Sequence, residues 1–267
     1  IQDIPLYKLQ GKAFFTKEIE EALLRDRIDV AVHSLKDLAT SFHPELVLSA
    51  VMEREDPRDA LLFRADLGAP EDLPPGARVG TSSLRRRALL ARWRPDLQLL
   101  DLRGNVPTRI EKLDRGDYDA IVLAAAGVKR LGLGERISAF LPFDFFLPAV
   151  SQGAVGVQTR VDDQETRGWT DALDHPATRA ATTSERALLR RVEGGCQVPV
   201  GAHAEVEANA LRLRGVVCSL DGTVGVEGEV RGKTQDGEAL GVALAEDLLN
   251  RGGEEILDGI RKGNHGG

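Results

Sequence analysis

The sequence predicts an α/β protein of two lobes, followed by a small α+β domain. Three observations point there. Between residues 77 and 133, short apolar runs alternate with amphipathic helical stretches, the rhythm of a mostly parallel sheet whose strands are joined by helices. LLRDRIDVAVHSLKDL and KLDRGDYDAIVLAAAGVKRL share one order: helix end, Asp-Arg, apolar strand, basic residue. Two lobes of similar build would produce that echo. Farther on, HAEVEANALRLRGVVCSL and TVGVEGEVRG alternate apolar and polar residues between turn signals, the pattern of an antiparallel sheet.

The elements follow in order. FTKEIEEALLRDR (15–27) places Ile19, Leu23 and Leu24 on one side of a helix. IDVAVHSL (28–35) and LVLSAVM (46–52) read as strands. ADLGAPEDLPPGA (65–77), rich in Pro and Gly, is a connection at the edge of the second lobe. ARVG (77–80) ends a strand, and SSLRRRALLARW (82–93) opens a helix with Ser82 or Ser83 as N-cap. LQLLDL (97–102) is a strand; PTRIEKLDRG (107–116) is a helix with Pro107 in its first turn and Gly116 past its end. YDAIVLAAAG (118–127) is a strand running into a helix around 128–133. AVSQGAVGVQTR (149–160) is strand-like and crosses back to the first lobe. TTSERALLRRVEGG (182–195) is a helix with capping-box spacing at Thr182 and Glu185 and a stop at Gly194. EALGVALAEDLLNRGGEEILDGIRK (238–262) is helical. The expected division is a first lobe of 1–53 and 149–172, a second lobe of 57–147, and a C-terminal domain of 175–267.

The 267 residues, 42% hydrophobic, suffice for such cores. A net charge of -7 opposes general binding to nucleic acid or acidic membranes, and 4% aromatic residues leave little for base stacking. Two cysteines give neither a disulfide framework nor a metal spacing. No apolar run reaches membrane-spanning length and no secretory signal is visible, so a soluble cytoplasmic protein is expected. The first residue is Ile1 rather than Met, which suggests sequence upstream.

The arginines, although outnumbered by acids, are clustered. In VGTSSLRRRALL (79–90) a strand delivers hydroxyls to a helix N-terminus, where backbone N–H groups and the dipole favour anions; Arg85 and Arg86 add forked donors suited to carboxylates. A solvated helix face is the plainer reading of three arginines alone. LRGNVPTRIEKL (102–113) sets Arg103 and Arg109 between a strand end and a helix start, and AAAGVKRLG (124–132) sets Lys129 and Arg130 after another strand. Three basic loops at the carboxyl ends of parallel strands would converge on one crevice, whose ligand carries several carboxylates or a phosphate. DVAVHSLKD (29–37) adds Lys36 and Asp37 at a strand end of the first lobe; an isolated Asp there more commonly serves a turn. His33, within the apolar run, reads as an interior histidine, and none of the five histidines belongs to a nucleophilic triad. Cys218, in VVCSL, reads as a small buried hydrophobe. Cys196 follows a helix C-terminus, where the dipole disfavours thiolate, so it is a poor acyl-transfer nucleophile. Gly194 and Gly195 give it an open approach that suits an attachment point.

These segments closely resemble the hydroxymethylbilane synthase (porphobilinogen deaminase) family. The resemblance is carried by GKAFFTKEIE, HSLKD, REDPRDAL, VGTSSLRRRALL, LRGNVPTRIEKLDRGDYDAIVLAAAGVKRLG, AVSQGAVGVQ and SERALLRRVEGGCQVPVGAHA, most of residues 11–204. It implies two α/β lobes like those of periplasmic binding proteins, plus an α+β domain with a cysteine loop. It implies a dipyrromethane cofactor joined to Cys196 by a thioether, and no metal. The implied reaction joins four porphobilinogens head to tail: each loses ammonia to give an electrophilic azafulvene, which the free α-carbon of the growing chain attacks. Hydrolysis then releases the linear tetrapyrrole.

By motif match Asp37 is the catalytic acid, with Cys196, Lys36, Ser83, Arg85, Arg86 and Asp37 on the cofactor side. Arg103, Arg109, Arg130 and Gln152 fall on the substrate side, with Thr81 and Ser82 either donating to a carboxylate or capping the helix. The family suggests a monomer. It also has an amino-terminal strand and helix, with an Arg and a Ser on substrate, that this sequence lacks, and the LATSF after HSLKD lacks the usual proline. The rival readings are a non-catalytic two-lobed anion-binding protein and a cysteine transferase working through a thioester.

Overall fold

The computed structural model describes residues 14–64, 73–193, 198–208 and 210–264. The chain runs through α1 (Phe14–Leu24), β1 (Ala31–Ser34) and β2 (Leu46–Val51), and residues 52–58 carry it to β3 (Asp59–Phe63). Then come β4 (Arg78–Gly80), α2 (Leu84–Trp93), β5 (Gln98–Leu100), α3 (Val106–Asp114), β6 (Ala120–Ala124), α4 (Ala125–Arg130) and β7 (Ala139–Phe140). Residues 148–154 lead to β8 (Val155–Arg160), α5 (Gln164–Thr170) and α6 (Pro176–Glu193). β9 (Val200–Glu207), β10 (Ala210–Cys218), β11 (Gly225–Lys233), α7 (Gly237–Leu248) and α8 (Glu254–Asn264) complete it.

The described strands form three sheets, ordered β1-β8-β2, β5-β4-β6-β3-β7 and β11-β10-β9. The second is packed on both faces. Leu61, Val79, Leu90 and Phe146 lie in one core, and Leu62, Leu102, Leu113 and Ile121 in the other. The third is antiparallel, as its alternation predicts, and packs Leu211, Leu213 and Val217 against Leu188 of α6 and Leu244 and Leu248 of α7. The fold is thus α/β with a C-terminal α+β part.

Several expectations are corrected. The first two sheets are not mostly parallel: both pairings of the first are antiparallel, and the second is mixed. β4 runs parallel to β5 and β6, but β3 is antiparallel to β6 and β7, and β8 is antiparallel to β1 and β2. β3 and β8 are the strands delivered by 52–58 and 148–154, the stretches that pass between sheets. No helical crossover within their own sheet forces them parallel. β8 begins only at Val155, because Ser151 (φ 62°) and Gly153 (φ 88°) turn the chain first. A Cβ on Gly153 would run into the Glu55 carbonyl oxygen, so the two passing stretches touch there. Ile19 is exposed, while Leu23 is buried against Ala31 and Leu46.

The capping box at Thr182 also fails, since α6 starts six residues earlier at Pro176, where His175 Nδ1 accepts from the Thr178 N–H at 3.3 Å. Thr182 instead donates to the Thr178 carbonyl inside the helix at 2.8 Å. Glu185, fully buried, binds Arg54 Nη1 at 2.6 Å and accepts the N–H groups of Ser151 at 2.6 Å and Ala204 at 2.8 Å. Arg54 Nε also donates to the Gln152 carbonyl at 2.8 Å. One carboxylate of α6 therefore holds both passing stretches against β9. The expected long C-terminal helix breaks into α7 and α8 where Gly252 takes φ 110°.

Beside this junction, His203 of β9 is buried, with its ring stacked on Phe143 at 4.0 Å. Burial, reinforced by the charges of Arg54, Arg214 and Arg212, pushes its pKa down from 6.5 to about 3. The unfolded chain then binds the extra proton between those values, so stability falls as pH drops from 6.5 toward 3, by about 1.4 kcal/mol per unit. His203→Gln should flatten that limb, narrowing its deficit against the parent by about 2–3 kcal/mol between pH 6.5 and 4.5 in urea unfolding. Parallel curves for the two proteins would refute this.

Candidate functional site

The site forms where β1 ends and α2 begins. Leu35–Asp37 is a single 3-10 turn directly after β1. Buried Leu35 anchors it, its N–H bonded to the Ala154 carbonyl at 3.0 Å, and the Leu38 N–H returns to the Leu35 carbonyl at 3.3 Å. The turn leaves Asp37 exposed and Lys36 half-buried. Burial pushes the Lys36 pKa down to about 8, and the positive charges of Arg86 and Arg85 add to this against the pull of Asp37 and Asp59. Lys36 is therefore near enough to the arginines of α2 and to Asp59 to feel their charges.

Those arginines are placed by a hydroxyl ladder. Thr81, buried after β4, accepts the Ser83 N–H at 3.3 Å. Ser82 clips the strand-end backbone of Leu102, donating to its carbonyl and accepting its N–H, both at 3.0 Å. Ser83 is the N-cap, its hydroxyl accepting the Arg86 N–H at 3.4 Å. The choice left open between Ser82 and Ser83 is thus settled for Ser83, and Thr81 and Ser82 shape the turn.

Arg85 and Arg86 are buried rather than spread on a solvated face. Both grip Asp59, the first residue of β3 and fully buried: Arg85 Nη1 at 2.7 Å, Arg86 Nη2 at 2.7 Å and Arg86 Nε at 2.9 Å. Arg85 Nη1 also donates to the Leu147 carbonyl and Arg86 Nη1 to the Val122 carbonyl. Gln152, buried, donates to Asp59 at 3.0 Å and to the Pro57 carbonyl at 2.8 Å. Burial alone would raise the Asp59 pKa. The charges of Arg85 and Arg86, with the hydrogen bonds, reverse this and hold the carboxyl well below the usual carboxylate range. Two polar atoms here, Arg85 Nε and Gln152 Oε1, are buried without a hydrogen-bond partner.

Arg109, half-buried in α3, donates from Nε to the Gly104 carbonyl at 2.7 Å; burial and the nearby charge of Arg86 lower its pKa. Arg103 is half-buried at the preceding strand end. Arg130 stands exposed at the end of α4 with no hydrogen bond or ion pair to another described residue. Its neighbour Lys129 turns to Glu55 at 3.0 Å and Asp56 at 3.4 Å. The third basic loop therefore serves the 52–58 stretch with one of its two cations. Cys196 lies outside the described residues. Cys218 is buried in β10, and burial pushes its thiol up to about 11, an inert group. His33 is an interior histidine, bonded to Gln158 Oε1 at 3.1 Å.

Asp59 is the residue that sequence reasoning missed. Its signal was present: in DALLF an acid heads an uninterrupted apolar run, and a buried carboxylate demands a cationic partner.

Arg85 and Arg86 thus bridge Asp59, with Lys36 and Arg109 near enough to Arg86 to feel its charge, so cations outnumber acids here. With the orphaned Arg85 Nε, that donor set suits a ligand bearing several carboxylates, as a dipyrromethane does. No group of described His, Cys, Asp or Glu residues could hold a metal, and no described helix is long and apolar enough to cross a membrane.

Among known proteins, residues 1–168 match the family model "porphobilinogen deaminase, dipyromethane cofactor binding domain", and residues 180–250 match "porphobilinogen deaminase, C-terminal domain". The chain is 51% identical over 257 residues to the porphobilinogen deaminase of Geotalea uraniireducens (strain Rf4), covering 96% of this chain and 80% of that one. It is equally similar to that of Geobacter sulfurreducens, with the same coverage. Among solved structures it overlaps a Salmonella typhimurium periplasmic binding protein of high arginine specificity (13% identity, TM-score 0.35, 61% of this chain and 70% of that). It also overlaps a periplasmic VFT2 domain from Bordetella pertussis (18% identity, TM-score 0.34, 58% and 65%). With both family models matched and half of its residues shared with these relatives along nearly its whole length, the chain belongs to the porphobilinogen deaminase family.

Proposed function

We propose that the chain carries out the porphobilinogen deaminase reaction: stepwise head-to-tail condensation of four porphobilinogens with release of ammonia, then hydrolysis to the linear hydroxymethylbilane. The observation that supports this site best is the buried, Asp59-bridged arginine pair, whose charges reach Lys36 of the Lys36–Asp37 turn. That arrangement sets one exposed acid beside a carboxylate-binding cluster.

The cofactor is a dipyrromethane, held by a thioether on Cys196; when bound, it supplies a fixed primer with a free pyrrole α-carbon. The chain's residues do the rest. The Asp37 carboxylate balances positive charge developing at pyrrole nitrogen and takes up the proton lost when each new bond forms. Arg85, Arg86, Arg103, Arg109 and Arg130 pair with acetate and propionate groups. A guanidinium has five N–H donors, so Arg86, with three engaged internally, keeps two for a ligand. Lys36 adds charge, while Ser83 and Gln152 hold the arginine helix and Asp59 in register, with Thr81 and Ser82 behind them. The three-domain division given above, and action as a cytoplasmic monomer, belong to the same reading. A formal charge of -7 argues against nucleic acid as a partner.

Intact mass is the test. The purified protein should exceed its sequence mass by two linked pyrroles, gain further pyrrole units with porphobilinogen, and lose the adduct entirely as Cys196→Ser. A fully active protein of unmodified mass would overturn the proposal.

A further inference from the structure

α6 carries two adjacent residues with reach beyond their own domain. Glu185 binds the passing stretches, and Arg186 points to the acid's turn. Arg186 is buried, 7% exposed. Its Nη1 donates to the carbonyls of Leu35 at 3.4 Å and Leu38 at 3.2 Å, and its Nη2 donates to the Ala39 carbonyl. Its guanidinium lies 5.3 Å from the Phe42 ring centroid. One turn later, Arg190 Nη1 lies 3.5 Å from the Thr40 carbonyl.

The turn needs such a partner. The 3-10 turn closes with the Leu38 N–H on the Leu35 carbonyl, and the carbonyls that follow have no helical partner. A planar fork holds several carbonyls in fixed directions at once, and its charge suits the negative end of the turn; a lysine has three donors, but all on one rotating nitrogen.

We propose that Arg186 is a positioning residue for Asp37. By gripping the carbonyls on both sides of Lys36–Asp37, it fixes where the carboxylate stands relative to the arginines of α2. This rests on the role given to Asp37 above. It also couples the acid to α6, the helix that ends at Glu193, three positions before Cys196 in the sequence.

The test compares Arg186→Leu and Arg186→Lys in the cofactor-bearing protein, well below the melting temperature, alone and combined with Asp37→Asn. Arg186→Leu should lower kcat roughly tenfold to a hundredfold, the effect of an acid displaced by about an ångström. KM should stay within about threefold, because carboxylate binding is untouched. The intact mass should keep its adduct, amide exchange at 35–39 should speed up, and Arg186→Lys should recover part of the rate. Added to Asp37→Asn, Arg186→Leu should cost less than about twofold more, since the acid it positions is gone. A folded Arg186→Leu protein that melts earlier yet turns over normally refutes the proposal, as do losses that multiply in the double variant. Should the leucine variant fail to fold, the lysine variant carries the same comparison. A near-normal rate for Asp37→Asn removes the acid itself, and this proposal with it; multiplying losses remove only Arg186.

Discussion

Asp37→Asn should reduce kcat by roughly 100- to 10,000-fold, the range for loss of a positioned general acid–base group. The fold should hardly respond. The Asp37 side chain is exposed at the end of its turn and makes no hydrogen bond or ion pair with another described residue, so stability should move by no more than about 0.5 kcal/mol. Porphobilinogen binding should survive too. The carboxylate-binding cluster proposed above is built by Arg85 and Arg86 of α2 on Asp59, away from Asp37 itself, and asparagine keeps the size and polarity of the side chain it replaces. The expected pattern is therefore a kcat effect with nearly unchanged KM, an unchanged melting temperature and a retained adduct. Single-turnover release of ammonia together with intact mass would read it. A variant within a few-fold of parental rate would strip Asp37 of its role, and chemistry would then have to pass to Lys36, its neighbour on the turn.

The features visible in the sequence were those written within a few residues. Pro107 and Gly116 bracket α3 where turn chemistry puts them, and the structure adds Asn105 as its N-cap, the side chain accepting the Thr108 N–H. The alternation along β9 to β11 follows from one face packed on α6 and α7; the other faces solvent only in part, since Val216 and Cys218 join the core of the second sheet and His203 stacks on Phe143. The Lys36–Asp37 turn and the arginine helix could likewise be named from local order. Long-range pairing could not. Glu185 and Thr182 have capping-box spacing, but Glu185 is taken up by Arg54, 131 positions earlier, and no local pattern encodes that partner. The arginines of α2 suggested a ligand, yet their first carboxylate is Asp59, 26 residues before Arg85 at the head of an apolar strand that calls for a cation without naming which one. Sheet direction failed for the same reason: β3 and β8 get their orientation from connections between sheets, which periodicity does not register.

Asp59 is also where the largest loss of stability is expected. Asp59→Ala would leave Arg85 and Arg86 buried and mutually repelling, with Gln152 deprived of an acceptor. Breaking one side of a buried ion pair costs about 3–5 kcal/mol, because the remaining charge has lost both water and partner. For a chain of this size that corresponds to a fall of roughly 6–15 °C in Tm by calorimetry. The charge, rather than the volume, should dominate. Asp59→Asn preserves shape and two acceptor lone pairs but not the charge, so it should lose a large share of the same amount. Asp59→Asn combined with Arg86→Met, which removes one cation together with the anion, should then regain stability over Asp59→Asn alone, since a matched apolar replacement of a buried pair is often nearly neutral. Acid titration offers an independent check. The folded pKa lies below the unfolded one, so this stabilisation is complete above the unfolded value and is lost as pH falls through the folded value. Removing the carboxylate should therefore make the acid limb of the stability curve shallower. If Asp59→Ala melted within about 2 °C of the parent, the arginine pair would not depend on Asp59, and the carboxylate-binding cluster would need another support.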